Sequence, residues 1–323
     1  MVHITTDSSQ RSNVTGVILL VAAATLWSLS GALIKMLNAD GQGPQGVVIA
    51  WYRSLIAGLF LVPLAIGKMH TLRATDLRYT RWPIRPASVL CALFFSAMTV
   101  CYVTAMTLTE AGSAILLQYT SNIWIFLLSP LLLAERPRLR DIWVLALAMT
   151  GVLIILWGES TSGLPGLLCA LASGLFYGLL TLMIRRMKDC NSAAVSVVNN
   201  LGSAILILPI VLYLHFNSVD PGMSLAVSGR AFVLLVLLGV VQFGLPYYLF
   251  TLGLARVPAY KAGLIVMIEL ILVPVAAYIA VGEVMPPRKL IGGGLILLAL
   301  IILGVLAARA QAPLKSQVVV NSE

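Results

Sequence analysis

The chain has 323 residues, of which 60% are hydrophobic and only 10% charged, with a formal net charge of +9. Soluble domains carry about 25% charged residues, so a water-facing globule is excluded. Nucleic acid is not expected as a partner either, because the cations sit in short gaps beside apolar segments, where they set membrane topology.

A bilayer-spanning helix needs roughly 20 mostly apolar residues, and in lipid the backbone must satisfy its own hydrogen bonds. The sequence therefore predicts an all-α integral membrane protein with ten transmembrane helices. They fall at 14–37, 46–66, 86–106, 112–133, 140–158, 164–185, 193–214, 230–254, 258–281 and 288–309, between tails at 1–13 and 310–323. Asp40–Pro44, Glu159–Pro165, Asp220-Pro221-Gly222 and Pro286-Pro287 mark breaks between them. No cationic run precedes the first helix and no small-residue cleavage site follows it, so it is expected to be retained and not removed as a signal.

The cations alternate by gap. Lys68, Arg73, Arg78, Arg81 and Arg85 follow the second helix, and Arg136, Arg138 and Arg140 the fourth. Arg185, Arg186 and Lys188 follow the sixth, Arg256 and Lys261 flank the turn after the eighth, and Arg11, Arg309 and Lys315 lie in the tails. The other side keeps only Lys35, Arg53, Arg230, Arg288 and Lys289, of which Arg288-Lys289 is the awkward pair. The positive-inside rule puts both termini in the cytoplasm and the chain in the cytoplasmic membrane.

The two halves, 14–158 and 164–309, match at an offset of about 150. Trp27 to Lys35 lines up with Tyr177 to Arg185, Arg53 and Pro63 with Asn199 and Pro209, and Leu133-Ala-Glu135 with Val281-Gly-Glu283. Five helices per half is an odd number, so the second half enters the membrane inverted. Two inverted five-helix repeats are the design of secondary transporters, with the solute site near mid-membrane between them.

These motifs resemble the EamA family of the drug/metabolite transporter superfamily. The likeness rests on the aromatic-to-cation first helix of each half, the early arginine of the second helix, and the ninth helix from Met267-Ile-Glu269 to Gly282-Glu283. Leu270 stands where that family usually has proline, and Ser121-Asn122 stand at the same place in the fourth helix. The resemblance implies ten helices in two inverted repeats and export of small metabolites, often amino acids.

Polar residues inside the membrane are the candidate site. Glu269 lies about 16 Å along its helix from Pro258, near the bilayer centre. A carboxylate there should face a wet cavity, pair, or carry a proton, and no cation is expected at equal depth on neighbouring segments. Gln118 and Asn122 are four apart and share a helix face. Trp27 and its mate Tyr177 can line a cavity with a polar handle. Gln242 and Tyr247 join them, beside a Pro246 that can free a carbonyl. Tyr119 and Trp124 are expected to pack or sit at the interface. Arg53, about 10 Å below the surface, is expected to snorkel outward or pair structurally, ahead of binding an anionic group. Asn199 and Asn200 are expected to bridge helices, Glu135 and Glu283 to serve helix ends, and Gly174 and Gly178 to admit a close backbone approach.

Cys91, Cys101, Cys169 and Cys190 have no metal-ligand spacing, so neither metal nor cofactor is expected. His3, His70 and His215 form no catalytic constellation with an acid or serine, and no Gly-rich phosphate loop ending in Lys-Ser/Thr occurs. The reading is a non-enzymatic secondary transporter. It exports a small amphipathic metabolite, an amino acid or related compound, with protons as the candidate coupling ion. The alternatives are uptake or exchange of a nucleotide sugar or organophosphate, and a non-transporting receptor or scaffold.

Overall fold

Runs of leucine, isoleucine, valine and alanine bounded by Gly/Pro breaks become helices, because no polar period competes with the intrahelical ladder. The structure, a computed structural model, describes residues 4–39, 43–72, 86–121, 123–125, 127–128, 140–157, 163–186, 192–254, 265–266 and 268–311. Its helices are α1 (Ile4–Leu37), α2 (Gly46–Leu72), α3 (Pro86–Leu108), α4 (Ala111–Gln118), α5 (Arg140–Leu156) and α6 (Leu164–Arg186). They continue as α7 (Ser192–Asn217), α8 (Gly229–Leu237), α9 (Leu245–Leu254), α10 (Glu269–Val281) and α11 (Pro287–Gln311). A π-helical turn, Leu238–Gly244, joins α8 to α9 as one rod. No strand occurs among the described residues.

Boundaries follow local chemistry. Pro86 and Pro287 open α3 and α11, where a missing N–H costs nothing. Ser228 Oγ accepts from Ala231 N at 3.2 Å and caps α8. Gly282 ends α10 with φ of 69°, a left-handed conformation suited to glycine.

Six stretches are long and apolar enough to cross a membrane: Val14–Leu37, Gly46–Gly67, Pro86–Leu108, Leu164–Ile184, Ala193–Asn217 and Gly229–Phe250. They are the first three helices of each sequence half. The fourth helix is not one continuous rod. α4 stops at Gln118, a turn covers 119–120, and helical residues resume at 121. Much of the stretch expected at 258–281 lies outside the described residues, and α10 begins at Glu269.

The main helix contacts return to themselves when the halves are exchanged. α3 packs on α6, and the α8–α9 rod on α1. α4 packs on α6, and α10 on α1; α3 packs on α7, and the rod on α2. α2 with α7, and α5 with α11, are their own mates. At the α2–α7 crossing the hydroxyls of Ser54 and Ser203 lie 3.5 Å apart.

With apolar surface on both sides of these helices, close approach replaces the hydrophobic effect as the packing force. Gly174 and Gly178 of α6 supply it. A Cβ at Gly174 would lie 2.6 Å from Thr120 Oγ1, and one at Gly178 would lie 2.9 Å from Trp124 Cβ.

Charges at the face where α1 ends are tied across the halves. Lys35 Nζ pairs with Glu283 Oε2 at 2.9 Å and donates to the Thr109 carbonyl at 2.7 Å. Glu283 Oε1 accepts from Ala111 N at 2.6 Å. Lys289, only 1% exposed, pairs with Glu110 Oε2 at 2.8 Å. Thr109 and Ser113 hydroxyls donate to the same oxygen at 3.0 and 3.2 Å. Burial raises the Glu110 carboxyl, yet the hydrogen bonds from Lys289, its own backbone and Thr109, with the Lys289 charge, outweigh it and leave the group below its usual range. Lys289 is thus a buried, neutralised cation, which removes half of the Arg288-Lys289 exception to the charge split. Arg288 donates to the Trp157 carbonyl.

Candidate functional site

Between the halves lies a cavity of about 60 Å³. The first half lines it with Trp27 of α1, Arg53 of α2, Met98 and Tyr102 of α3, and Gln118 and Tyr119 where α4 ends. The second half lines it with Tyr177 of α6, Gln242 and Phe243 of the π-turn, Tyr247 of α9, and Val266 and Glu269 at the start of α10. The six described candidates Trp27, Gln118, Tyr177, Gln242, Tyr247 and Glu269 thus share one cavity. Asn122 and Glu135 lie outside the described residues.

Arg53 overturns its expectation. It is 2% exposed and does not reach the interface. Its neighbours one turn away on the same face, Ile49 and Ala57, are fully buried, so the side chain has no route outward along α2. The guanidinium instead lies 3.8 Å from the Phe243 ring centroid and 5.8 Å from that of Tyr102. Cation–π attraction compensates part of its desolvation. Its Nε and Nη1 have no hydrogen-bond partner among the described residues. The expectation of no cation near Glu269 fails with it, since both groups face this cavity.

Glu269 is 8% exposed and occupies the first turn of α10, where the helix dipole favours negative charge. Its Oε2 accepts from the Tyr119 hydroxyl at 3.0 Å, which also lies 3.3 Å from the Val266 carbonyl. One phenolic proton therefore has two acceptors. Arg53 and Glu269 form no ion pair with each other, so the cavity offers a guanidinium and, separately, an ionisable carboxyl.

Tyr119 was expected to pack, because a regular helix turns it away from Gln118. The chain after α4 is not regular: Thr120 N bonds back three residues to the Leu117 carbonyl at 3.1 Å, and Thr120 Oγ1 bonds the same carbonyl at 2.6 Å. That tightened turn brings Gln118 and Tyr119 to one cavity.

Aromatic rings wall the site. Trp27 meets Tyr247 edge-on at 5.3 Å and Phe250 at 5.2 Å, and Phe243 meets Tyr247 at 5.1 Å. Tyr102 is held by Ser30 across 3.0 Å. Gln242 Nε2 donates to the Trp27 carbonyl at 3.2 Å, joining the halves, while its Oε1 has no partner among the described residues. Tyr248 turns away and packs by Leu61, Ala193 and Val197. Asn200 does not bridge helices through its amide nitrogen, which bonds the Ser196 carbonyl of its own helix at 2.9 Å.

Met98, Tyr102, Tyr119, Phe243 and Val266 line the cavity without having been candidates, and for Arg53 anion binding was only the lesser expectation. The available signal was a polar residue inside an apolar run whose helical neighbours at three and four positions are small or aliphatic. No group of three or more His, Cys, Asp or Glu able to hold a metal occurs among the described residues. Cys91, Cys101 and Cys169 are free thiols. The arrangement can desolvate a small amphipathic molecule and meet opposite charges at its two ends.

Comparison with known proteins agrees with this layout. The model of the EamA-like transporter family matches twice, over residues 14–157 and 164–305. An uncharacterized transporter of Archaeoglobus fulgidus is 29% identical over 223 residues, 68% of this chain and 77% of that protein. The uncharacterized transporter YwfM of Bacillus subtilis is 24% identical over 302 residues, 91% of this chain and 94% of its own length. A crystal structure of a protein 20% identical shares the fold, with a TM-score of 0.60 over 92% of this chain and 99% of that one.

Proposed function

Because the chain belongs to the EamA-like transporter family, we propose that it is a secondary exporter of a small amphipathic metabolite, an amino acid or related compound, across the cytoplasmic membrane. The observation that carries this reading is the cavity between the halves, lined by Arg53 and Glu269, which form no ion pair with each other. An α-amino acid brings a carboxylate for the Arg53 donors, an ammonium for the side of Glu269 and Gln242, and an apolar side chain for Trp27, Met98 and Phe243. A guanidinium suits a carboxylate because its N–H groups form parallel charge-assisted bonds.

Asn122 belongs to this proposed set by its spacing from Gln118. The transport cycle follows from ten helices in two inverted repeats. Two nearly equivalent packings of the halves give states open to opposite sides. Both termini face the cytoplasm by the charge split. The Tyr119 proton supports a coupling role for protons. With Glu269 ionised the phenol donates to it. With Glu269 protonated the carboxyl donates to the phenol oxygen, and the phenol turns to the Val266 carbonyl. A single buried arginine beside a carboxylate disfavours nucleotide sugars and organophosphates, which bring several negative charges.

The test is efflux from proteoliposomes preloaded with radiolabelled neutral L-amino acids, with and without a pH gradient. Release of at least one faster than from protein-free vesicles is expected. Failure to move any of them, with nucleotide sugars moved instead, overturns the solute class. Failure to move either class leaves a receptor or scaffold.

A further inference from the structure

The α8–α9 rod differs from its mate α3 in one feature. Residues 238–244 form a widened turn, whereas Pro86–Leu108 is α-helical throughout. The turn has a local cause. Pro246 has no N–H to offer, and its ring crowds the carbonyl four residues back, that of Gln242. The ladder answers by stretching, and Leu245 N bonds the carbonyl of Val240, five residues back.

The widening has a geometric effect. Gly239 and Gly244 both press on α2: a Cβ at the first would lie 2.6 Å from Ile56 Cβ, and one at the second 2.8 Å from Phe60 Cδ1. Residues five apart on a regular helix point about 140° away from each other. The widened turn sets both glycines against α2 and leaves Gln242 and Phe243 together facing the cavity with Tyr247.

Within that turn the polarity of the Gln242 amide is fixed. Its partner, the Trp27 carbonyl, can only accept, so the amide nitrogen must face it. The oxygen is then the atom left over. Gln242 is 3% exposed, and Oε1 has no partner among the described residues. A buried acceptor left without a donor is costly, so its natural complement is a donor brought by the solute.

Resting on the exporter reading above, we propose that the widened turn Leu238–Gly244 is a specificity element that presents Gln242 Oε1 as the acceptor for an N–H donor of the transported solute. Arg53 holds the solute's anionic end, and Gln242 joins Glu269 in selecting for an amine. The turn supplies the orientation and Trp27 supplies the polarity.

The experiment measures binding to purified full-length protein by titration calorimetry with two probe pairs, L-alanine with propanoate and L-leucine with 4-methylpentanoate. Members of a pair differ only in the amino group. Wild type is expected to favour the amino member by about tenfold or more, the scale of one buried hydrogen bond to a charged group. Gln242→Met fills the same space without the acceptor, and Pro246→Ala restores the missing N–H and removes the ring clash, so that the turn can close as regular helix. Both are expected to cut the preference several-fold, leaving the part that Glu269 supplies, while carboxylate binding persists. A purely structural role would weaken both members equally and keep their ratio, which overturns the proposal. Equal binding of both members by wild type overturns it too, and leaves the exporter reading standing. Binding of neither pair, with no efflux of any amino acid, overturns the exporter reading and this proposal together. Gln242→Met keeps the test decisive should Pro246→Ala fail to fold.

Discussion

Two regions of this molecule bury charge, and they treat it in opposite ways. At the face where α1 ends, the buried and half-buried charges named above have partners: Lys35 with Glu283, and Lys289 with Glu110. Each carboxylate there also accepts further hydrogen bonds, Glu283 from Ala111 and Glu110 from Thr109 and Ser113. In the cavity, Arg53 and Glu269 face the same space without pairing with each other, and two Arg53 donors have no partner among the described residues. Burying a charge is expensive unless it is paired. The satisfied set therefore holds helices together. The unsatisfied set keeps a standing cost that a bound solute can relieve.

Breaking the paired set should produce the largest effect on stability. Glu110→Ala takes from Lys289 the carboxylate it pairs with, and Lys289 is 1% exposed. Losing one partner of a buried pair costs about 3–5 kcal/mol. A thermal-unfolding scan in detergent is expected to show a large drop in midpoint, largely recovered in the double variant Glu110→Ala/Lys289→Met. An unchanged midpoint would show that the pair is only a surface contact.

The same operation in the cavity should have the opposite sign. Arg53→Met removes a desolvated charge without stranding a protein partner, so the solute-free protein is expected to hold or gain thermal stability. Solute transport, in contrast, should fall by about 30-fold or more, since truncating one side of a buried charged contact costs about 2 kcal/mol upward. A variant that loses stability and keeps its flux would reverse the assignment of the two regions.

Glu269→Gln sharpens the comparison. It keeps an acceptor for Tyr119 and deletes the titrating group. Unfolding is expected to shift by less than about 1 kcal/mol, the net scale of one neutral hydrogen bond. Flux along a pH gradient should lose its pH dependence and fall about tenfold, within the range for a positioned proton-transfer group. Wild-type flux with unchanged pH dependence would make Glu269 a structural contact.

The halves show how much of this was legible beforehand. The apolar runs and the repeat are one-dimensional signals and carry into the fold, and the six described candidates line one cavity. What was lost depends on direction. Arg53 was given the wrong heading, because helical rise fixes only its position along α2 and heading depends on which face α7 and the rod cover. Tyr119 was lost because a 3.6-residue period was carried across residues 119–120, where the chain tightens. Lys289 looked like a loop charge because its partner Glu110 lies 179 residues away. Pro246 was read as a kink that frees a carbonyl. Its larger consequence, a register shift shared by Gly239 and Gly244, needed the packing of α2 to become visible.

The smallest effect concerns acid stability at the paired face. The Glu110 carboxyl titrates below its usual range in the folded protein. A depressed carboxylate contributes stability that is fully present above its unfolded value, about 4.3 for glutamate. That contribution is lost as pH falls through the folded value, because the unfolded chain then binds the proton more readily. The charges facing Glu110 are Lys289 directly, with Lys35 and Glu283 joined to the same turn through Thr109 and Ala111. Glu110→Gln keeps a hydrogen-bonding side chain and removes the titration. Midpoints measured from pH 6 down to pH 3 should therefore converge: wild type starts higher and falls toward the variant below about pH 4.3. Parallel curves over the whole range would mean that Glu110 titrates alike in both states, and that Lys289 gains nothing from its charge.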